Sequence, residues 1–364
     1  MSKGTSLMRD LIAEVLDLVN SDRVFTDIHI EQDAPLRIKT PREWITLGSE
    51  PVLFEEMHEL LNSIDYEWEK KIQVGAIDHP VVLTKSRLRC NVYRTQGGRN
   101  VVIAIRRLPL APLPLERTGL PLYIKSMAEA TKGLVLVTGS TGAGKTTSTA
   151  ALMDYLNSTR SAHIVTIEQP IEYLLQGKKA IVSQKEVGTD VASFSAGLRE
   201  ALRQRPDVIM VGEVRDAETA ETVLHAGESG HLVFATLHTS SAVGAINKML
   251  SFFPLEQRAQ RALALADSLV GVVCQSLVPT EQGDNFVLAS ELIFNNNQQV
   301  AQFVGNLDKL PLLTEFMKRK EDNMSRCLNE DLAALVASRT IGVKDAMRAA
   351  YNRIELQDML ARVR

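Results

Sequence analysis

The chain reads as an α/β protein built on a parallel sheet, with a small α+β domain in front of it and helices behind. Three observations lead there. From about residue 118, short and uniformly apolar runs alternate with helical stretches, the pattern of strands covered on both faces of a doubly wound sheet. Before that point apolar and polar residues alternate singly, as in half-buried antiparallel strands. Between the two textures, Leu108 to Leu115 holds three prolines in eight residues, each biasing its predecessor towards extended geometry, so a stiff linker is expected. A length of 364 residues, at roughly 150 per domain, suits two domains with an appendage.

The elements follow in order. Leu7/Met8, Leu11/Ile12 and Val15/Leu16 recur at helical spacing between Ser6 and Val19, and Arg9, Asp10, Glu14 and Asp17 break the apolar run that a signal peptide needs. Thr26–Glu31, Pro35–Lys39 and Trp44–Leu47 alternate as strands, and Leu53–Ile72 reads as a polar helix. Arg87–Tyr93 and Asn100–Arg106 form a hairpin about Gly97-Gly98. These residues, 1–107, make the first domain, and 108–117 the linker. A core over 118–283 carries the apolar runs Leu134–Val137, Ile164–Ile167, Val208–Val211 and Leu232–Phe234. The last region, 284–364, is expected to be helical. Within it Phe286–Phe294 is either a last strand or the start of a helix, and Asn295 to Gln299 a turn and cap.

Composition excludes several classes. With 45% hydrophobic and 23% charged residues, disordered and collagenous chains are out. The balance of 41 basic against 44 acidic residues leaves a net charge of −3, so no whole-chain field draws the protein to nucleic acid. Cys90, Cys274 and Cys327 lie far apart and make neither a zinc ribbon nor a disulfide framework. No run of about 18 apolar residues is present, so no span is expected and a cytoplasmic location fits.

The sharpest motif is Gly139, Ser140, Thr141, Gly142, Ala143, Gly144, Lys145 and Thr146, with Thr147 following. It fits G-x-x-x-x-G-K-[ST] at every position, between an apolar strand and a helix-compatible segment. Glycines let backbone N–H groups curl around a phosphate, and the helix N-terminus adds partial positive charge. Lys145 would reach the β- and γ-phosphates of ATP and the Thr146 hydroxyl would ligate Mg²⁺. Farther on, Leu202 to Asp216 is a buried-strand pattern ending in Gly212-Glu213, where a nucleoside triphosphatase keeps a second carboxylate near Mg²⁺.

The pattern L-R-x-x-P-D, four apolar residues, then G-E-x-R-D resembles the signature of the bacterial secretion and pilus ATPase superfamily. Thr166 to Tyr173 resembles its acidic box, Gly230 to Thr239 its histidine box, and Thr26 to Ile30 the start of its PAS-like N-terminal domain. The resemblance spans about residues 5 to 280. It is nearest to the type IV pilus retraction ATPases of the PilT and PilU type, which are short and lack a tetracysteine metal site. It implies a RecA-like core, a homohexameric ring, and ATP bound between the core of one subunit and the N-terminal domain of another. A hinge at the linker would then convert hydrolysis into movement. The work implied is pilus depolymerisation against an inner-membrane platform protein, at the cytoplasmic face, with a paralogous retraction ATPase as a further partner. A related secretion or pilus-assembly ATPase, and a weakly active companion subunit, remain as alternatives.

The same resemblance distributes roles. Glu168 or Glu172 would position the attacking water, and Glu213 with Thr146 would hold Mg²⁺. His231 and His238 flank an apolar strand seven residues apart, point to opposite faces of it and so do not share a metal; the resemblance makes them sensors linking the γ-phosphate to the neighbouring subunit. Arg89 or Arg106 would reach ATP as an arginine finger, while a solvated edge strand is the plainer reading of that arginine-rich ribbon. Gln169 departs from the family pattern, which has Asp between the glutamate and the proline, and Gln298 to Gly305 replaces a family helix.

Overall fold

The computed structural model describes residues 9–363, so Leu7 and Met8 of the first expected helix lie outside the described residues. The chain divides into two units, one up to Leu110 together with Gln282–Asn285, the other of Ala111–Glu281 with Phe286 onward.

The first unit carries helix α1 (Leu11–Asn20), which starts where the Asp10 carboxylate accepts the Ala13 amide at 2.9 Å. Strands β1 (Asp27–Glu31), β2 (Pro35–Lys39) and β3 (Trp44–Pro51) follow, then helices α2 (Phe54–Ile64) and α3 (Trp68–Lys71). The expected single helix over 53–72 is split at Asp65, whose carboxylate accepts the Glu67 amide and the Lys71 ammonium at 3.0 and 2.7 Å. Strands β4 (Ile77–Val82), β5 (Ser86–Thr95) and β6 (Asn100–Pro109) complete an antiparallel sheet of order β3-β2-β1-β6-β5-β4. Sequence reading missed β4, a short edge strand containing Pro80, which an edge tolerates. Its core gathers Leu11, Val15, Ile28, Ile30, Leu36, Met57, Leu61 and Ile103.

Arg107 explains part of the basic ribbon. Its guanidinium donates to the carbonyls of Val19, Ser21 and Arg23 at 3.0, 3.1 and 2.9 Å and lies 4.3 Å from the Phe25 ring centre. It therefore satisfies the chain leaving α1. Arg107→Ala is expected to lower stability by about 2 kcal/mol in urea unfolding, since several carbonyls lose a charged donor; a loss near zero removes this role.

In the second unit, β6 having run on to Pro109, the expected linker is shorter than 108–117. Leu115 is already packed with Leu120 and Ile124 in this unit's core. After a single helical turn, α4 (Lys125–Ala128), come β7 (Gly133–Gly139), α5 (Lys145–Thr159), β8 (His163–Glu168) and β9 (Ile181–Glu186). Then follow α6 (Phe194–Ala201), β10 (Val208–Val211), α7 (Ala217–Glu228), β11 (Leu232–Thr236), α8 (Ala242–Ser251), α9 (Arg258–Ser268), β12 (Leu269–Pro279) and β13 (Phe286–Phe294). The sheet order is β13-β12-β7-β11-β10-β8-β9. All neighbours are parallel except β12 and β13, which pair antiparallel from Gly271↔Phe294 to Pro279↔Phe286. Phe286–Phe294 is thus a strand of the core sheet, so the region from 284 onward is not purely helical. Helices α10 (Gln298–Val304), α11 (Leu312–Lys318), α12 (Leu328–Ala337), α13 (Val343–Ala349) and α14 (Arg353–Val363) belong to the same unit. Asn297 caps α10 through the amides of Gln299 and Val300. Among the described residues no helix is long and apolar enough to cross a membrane.

Parallel strands put their C-terminal ends on one side of the sheet. With β11 and β10 separating β7 from β8, residues 139, 168, 213 and 238 all emerge on that side.

Candidate active site

The loop between β7 and α5 is built by close packing. A Cβ on Gly139 would stand 2.5 Å from the Gln275 carbonyl oxygen and 2.9 Å from the Ala143 Cβ, so only glycine fits there. Gly144, at φ +84°, turns the chain into α5 in a conformation that side chains disfavour. Ser140, Thr141 and Gly142 are exposed, Ala143 is buried, and Thr146 and Thr147 are half-buried in the first helical turn. Behind the loop, the fully enclosed Gln275 of β12 donates to the Ser148 hydroxyl of α5 at 2.7 Å, tying helix to strand.

The Lys145 ammonium donates to the carbonyls of Gly139 and Ser140 at 2.8 and 3.0 Å and to His238 Nδ1 at 3.3 Å. Burial lowers its pKa, against the pull of the Glu213 charge. His238 Nε2 lies 3.4 Å from the Glu213 carboxylate. With Nδ1 accepting from an ammonium, the ring proton belongs on Nε2, facing that carboxylate. His238 therefore bridges the P-loop lysine and the second acidic group.

Glu213 follows β10 through Gly212, whose amide donates to the Ile167 carbonyl at 2.7 Å. The carboxylate receives Arg215 at 2.7 Å. Burial alone would raise the Glu213 pKa, but the hydrogen bond and charge of Arg215, with His238, outweigh it and hold the carboxyl below its ordinary range. Arg215 also donates to Gln169 Oε1 at 3.4 Å. One polar chain thus runs Lys145, His238, Glu213, Arg215, Gln169.

The two acidic-box glutamates differ in kind. Glu168 ends β8 at 6% exposure and accepts from the Thr166 hydroxyl at 2.7 Å and the Gln184 amide at 3.0 Å. Burial raises its pKa. Glu172 is half-exposed, and its neighbour Tyr173 places a hydroxyl 3.0 Å from Thr147 Oγ1. The loop from 168 to 173 therefore returns to the first turn of α5. Tyr173, Gln184 and Gln275 carried no sequence signal, because each acts through a contact distant in the chain.

Among the other expected residues, His231 lies away from this cluster within the second unit, and Arg89 and Arg106 belong to the first unit. His231 precedes β11, at the opposite end of the strand from His238. Its Nδ1 donates to the Ala226 carbonyl and its own carbonyl accepts from Gly133, at the start of β7. Five strand residues at roughly 3.3 Å each separate it from the P-loop side of its own subunit. Arg89 and Arg106 belong to the first unit as directly opposed residues of β5 and β6. Their like charges are offset by Asp78 at 3.5 Å and Asp27 at 2.9 Å.

The glycine cradle, a helix N-terminus and a buried ammonium suit the phosphates of a nucleotide. A hydroxyl at Thr146 and a carboxylate held ionised at Glu213 supply the oxygen donors that Mg²⁺ prefers.

The chain is similar to known proteins over most of its length. The family model described as "Type II/IV secretion system protein" matches residues 69–332. A "Twitching motility protein" of Neisseria gonorrhoeae is 35% identical over 304 residues, 82% of this chain and 79% of the relative. The type IV pilus retraction ATPase PilT of Pseudomonas aeruginosa is 37% identical over 271 residues, 74% of this chain and 78% of the relative. Among solved structures, that of the pilus retraction motor PilT with bound ADP superposes with a TM-score of 0.80 at 36% identity, covering 96% of this chain and 98% of that one. The chain belongs to the type II/IV secretion system protein family.

Proposed function

We propose that the protein is a type IV pilus retraction motor, a homohexameric ATPase acting at the cytoplasmic face of the inner membrane on a platform protein there. The enzyme class is that of an ATPase. The observation that carries the chemistry is the His238 bridge between Lys145 and Glu213, which joins the phosphate cradle to the acidic group in one subunit. The likeness to proteins of twitching motility and pilus retraction supports the work assigned to it.

The reaction is ATP + water → ADP + phosphate. The amides from Gly142 to Thr147 and the Lys145 ammonium bind the phosphates. Thr146 and Glu213 are the residues that would hold Mg²⁺, which when bound neutralises phosphate charge. Glu172, accessible and beside the Tyr173–Thr147 contact, positions and deprotonates the water, while buried Glu168 shapes the loop that carries it. Arg89 or Arg106 would stabilise developing charge from another subunit. A strain lacking the gene is the test of the biological work: surplus pili that do not retract support the reading, and loss of pili replaces it with assembly.

A second reading, a slow companion subunit of an active paralogue, is favoured by Gln169. An aspartate there would compete for Arg215; the neutral amide leaves that guanidinium on Glu213, weakening it as a cation ligand. Gln169→Asp is expected to raise kcat by roughly tenfold, as one charged contact is redistributed. Measured ATP turnover that stays level or falls shows that Arg215 is not the brake.

A further inference from the structure

Strand β9 is an edge of the core sheet, and two of its polar side chains reach the acidic-box loop rather than solvent. Gln184 and Glu186 stand two residues apart and so share one face of the strand. Opposite them in the parallel register are Thr166 and Glu168 of β8. The segment that leaves Glu168, residues 169–175, belongs to no helix or strand, so its backbone polar groups need partners other than a regular ladder.

Gln184 gives its whole amide to that segment and to Glu168. Its Nε2 donates to the Tyr173 carbonyl at 2.9 Å and to the Glu168 carboxylate at 3.0 Å, and its Oε1 accepts the Leu175 amide at 2.7 Å. Glu186 takes the other side, one carboxylate oxygen accepting the Ile171 amide at 3.0 Å. Its second oxygen lies 3.4 Å from the Thr189 hydroxyl, and its own amide donates to Asp190 at 2.8 Å, which fixes the strand end from which it reaches. A third hold comes from Tyr173, whose hydroxyl meets Thr147 Oγ1 on α5 at 3.0 Å.

These contacts bracket Glu172. The residue before it is tied to Glu186, and the residue after it to Gln184 and Thr147, while Glu172 itself stays half-exposed. An ordinary surface loop leaves such amides to water. Here two side chains of a neighbouring strand take that place within a few residues of one accessible carboxylate. A loop carboxylate acts as a base only when it is held within hydrogen-bond reach of its water. The bracket supplies that hold from the sheet edge.

We propose that Gln184 and Glu186 are positioning residues for Glu172, holding the acidic-box loop on both sides so that the carboxylate meets the attacking water at a fixed place. The proposal rests on the assignment of Glu172 as the base.

The experiment compares substitutions of similar length in the full-length protein, reading steady-state and single-turnover ATP hydrolysis and the affinity of a fluorescent ADP. Glu186→Met, which offers the Ile171 amide no oxygen, is expected to lower kcat roughly tenfold, the worth of one hydrogen bond to a charged group, with KM for ATP and ADP affinity unchanged. Glu186→Gln retains an acceptor oxygen and stays within about threefold of the parent. Gln184→Met removes three bonds at once and costs at least as much as Glu186→Met. In a Glu172→Gln background either methionine change leaves the single-turnover rate where it was, because the group being positioned is gone. Methionine variants with unaltered kcat, or with the same loss whether or not Glu172 is present, overturn the positioning role, and so does a loss in Glu186→Gln equal to that in Glu186→Met. Should Gln184→Met not fold, the Glu186 pair and its cycle with Glu172 still decide. ATP turnover indifferent to Glu172→Gln overturns the assignment of the base, and this proposal with it; turnover sensitive to Glu172→Gln and indifferent to Glu186→Met overturns the proposal alone.

Discussion

Lys145→Ala is expected to abolish measurable ATP turnover, a fall of at least about 10²- to 10³-fold for loss of one preorganised charge at the phosphates. The argument is geometric. The ammonium is held by the Gly139 and Ser140 carbonyls and by His238, so it is already aimed into the loop it serves. Its removal deletes the sole charge in that loop and also strands His238, whose Nδ1 loses its donor. Two readouts separate these effects. ADP affinity should weaken strongly in Lys145→Ala and little in His238→Ala, while kcat should fall in both. An alanine variant that binds and turns over like the parent would remove the loop from the reaction altogether.

Glu172→Gln should lower kcat by about 10²- to 10⁴-fold, the usual worth of a general base, with ADP affinity preserved. Glu168→Gln should cost much less, because the amide still accepts from Thr166 and Gln184 and the loop keeps its course. The contrast follows from burial. A base must meet water, and Glu168 is enclosed with its Oε1 accepting from both Thr166 and Gln184, whereas Glu172 is half-exposed beside the residue that touches Thr147. Reversed magnitudes in single-turnover hydrolysis would exchange the two roles.

The P-loop was legible because its constraints are local: a tight turn, a strand before it and a helix after it all sit within about twenty residues. Glu213 was legible in type and place, as a carboxylate after a buried strand. The bridging position of His238 was not, since it depends on β11 lying beside β7, a neighbour relation that residue spacing does not express. His231 was legible as standing before the apolar strand and His238 after it; what the strand order adds is that β11 runs parallel to β7, so that only the end carrying His238 lies on the P-loop side. Phe286–Phe294 was ambiguous because an apolar run of that length suits a buried strand or a buried helix equally. Glu186 offered nothing at all, being a single acidic residue in a short strand until the acidic-box loop arrives beside it.

The order of strands in the first unit has a kinetic meaning. β1 to β3 form one meander and β4 to β6 another, each paired between chain neighbours, and only the β1–β6 ladder joins distant residues, as in Ile30↔Ile103. Each meander can close over short loops, while the ladder between them waits for a much longer one. The transition state for folding should therefore hold at least one meander largely made, with β1 and β6 still apart. Arg107, at the end of β6 and bonded to carbonyls around the end of α1, would then act late, as a latch that slows unfolding more than it speeds folding.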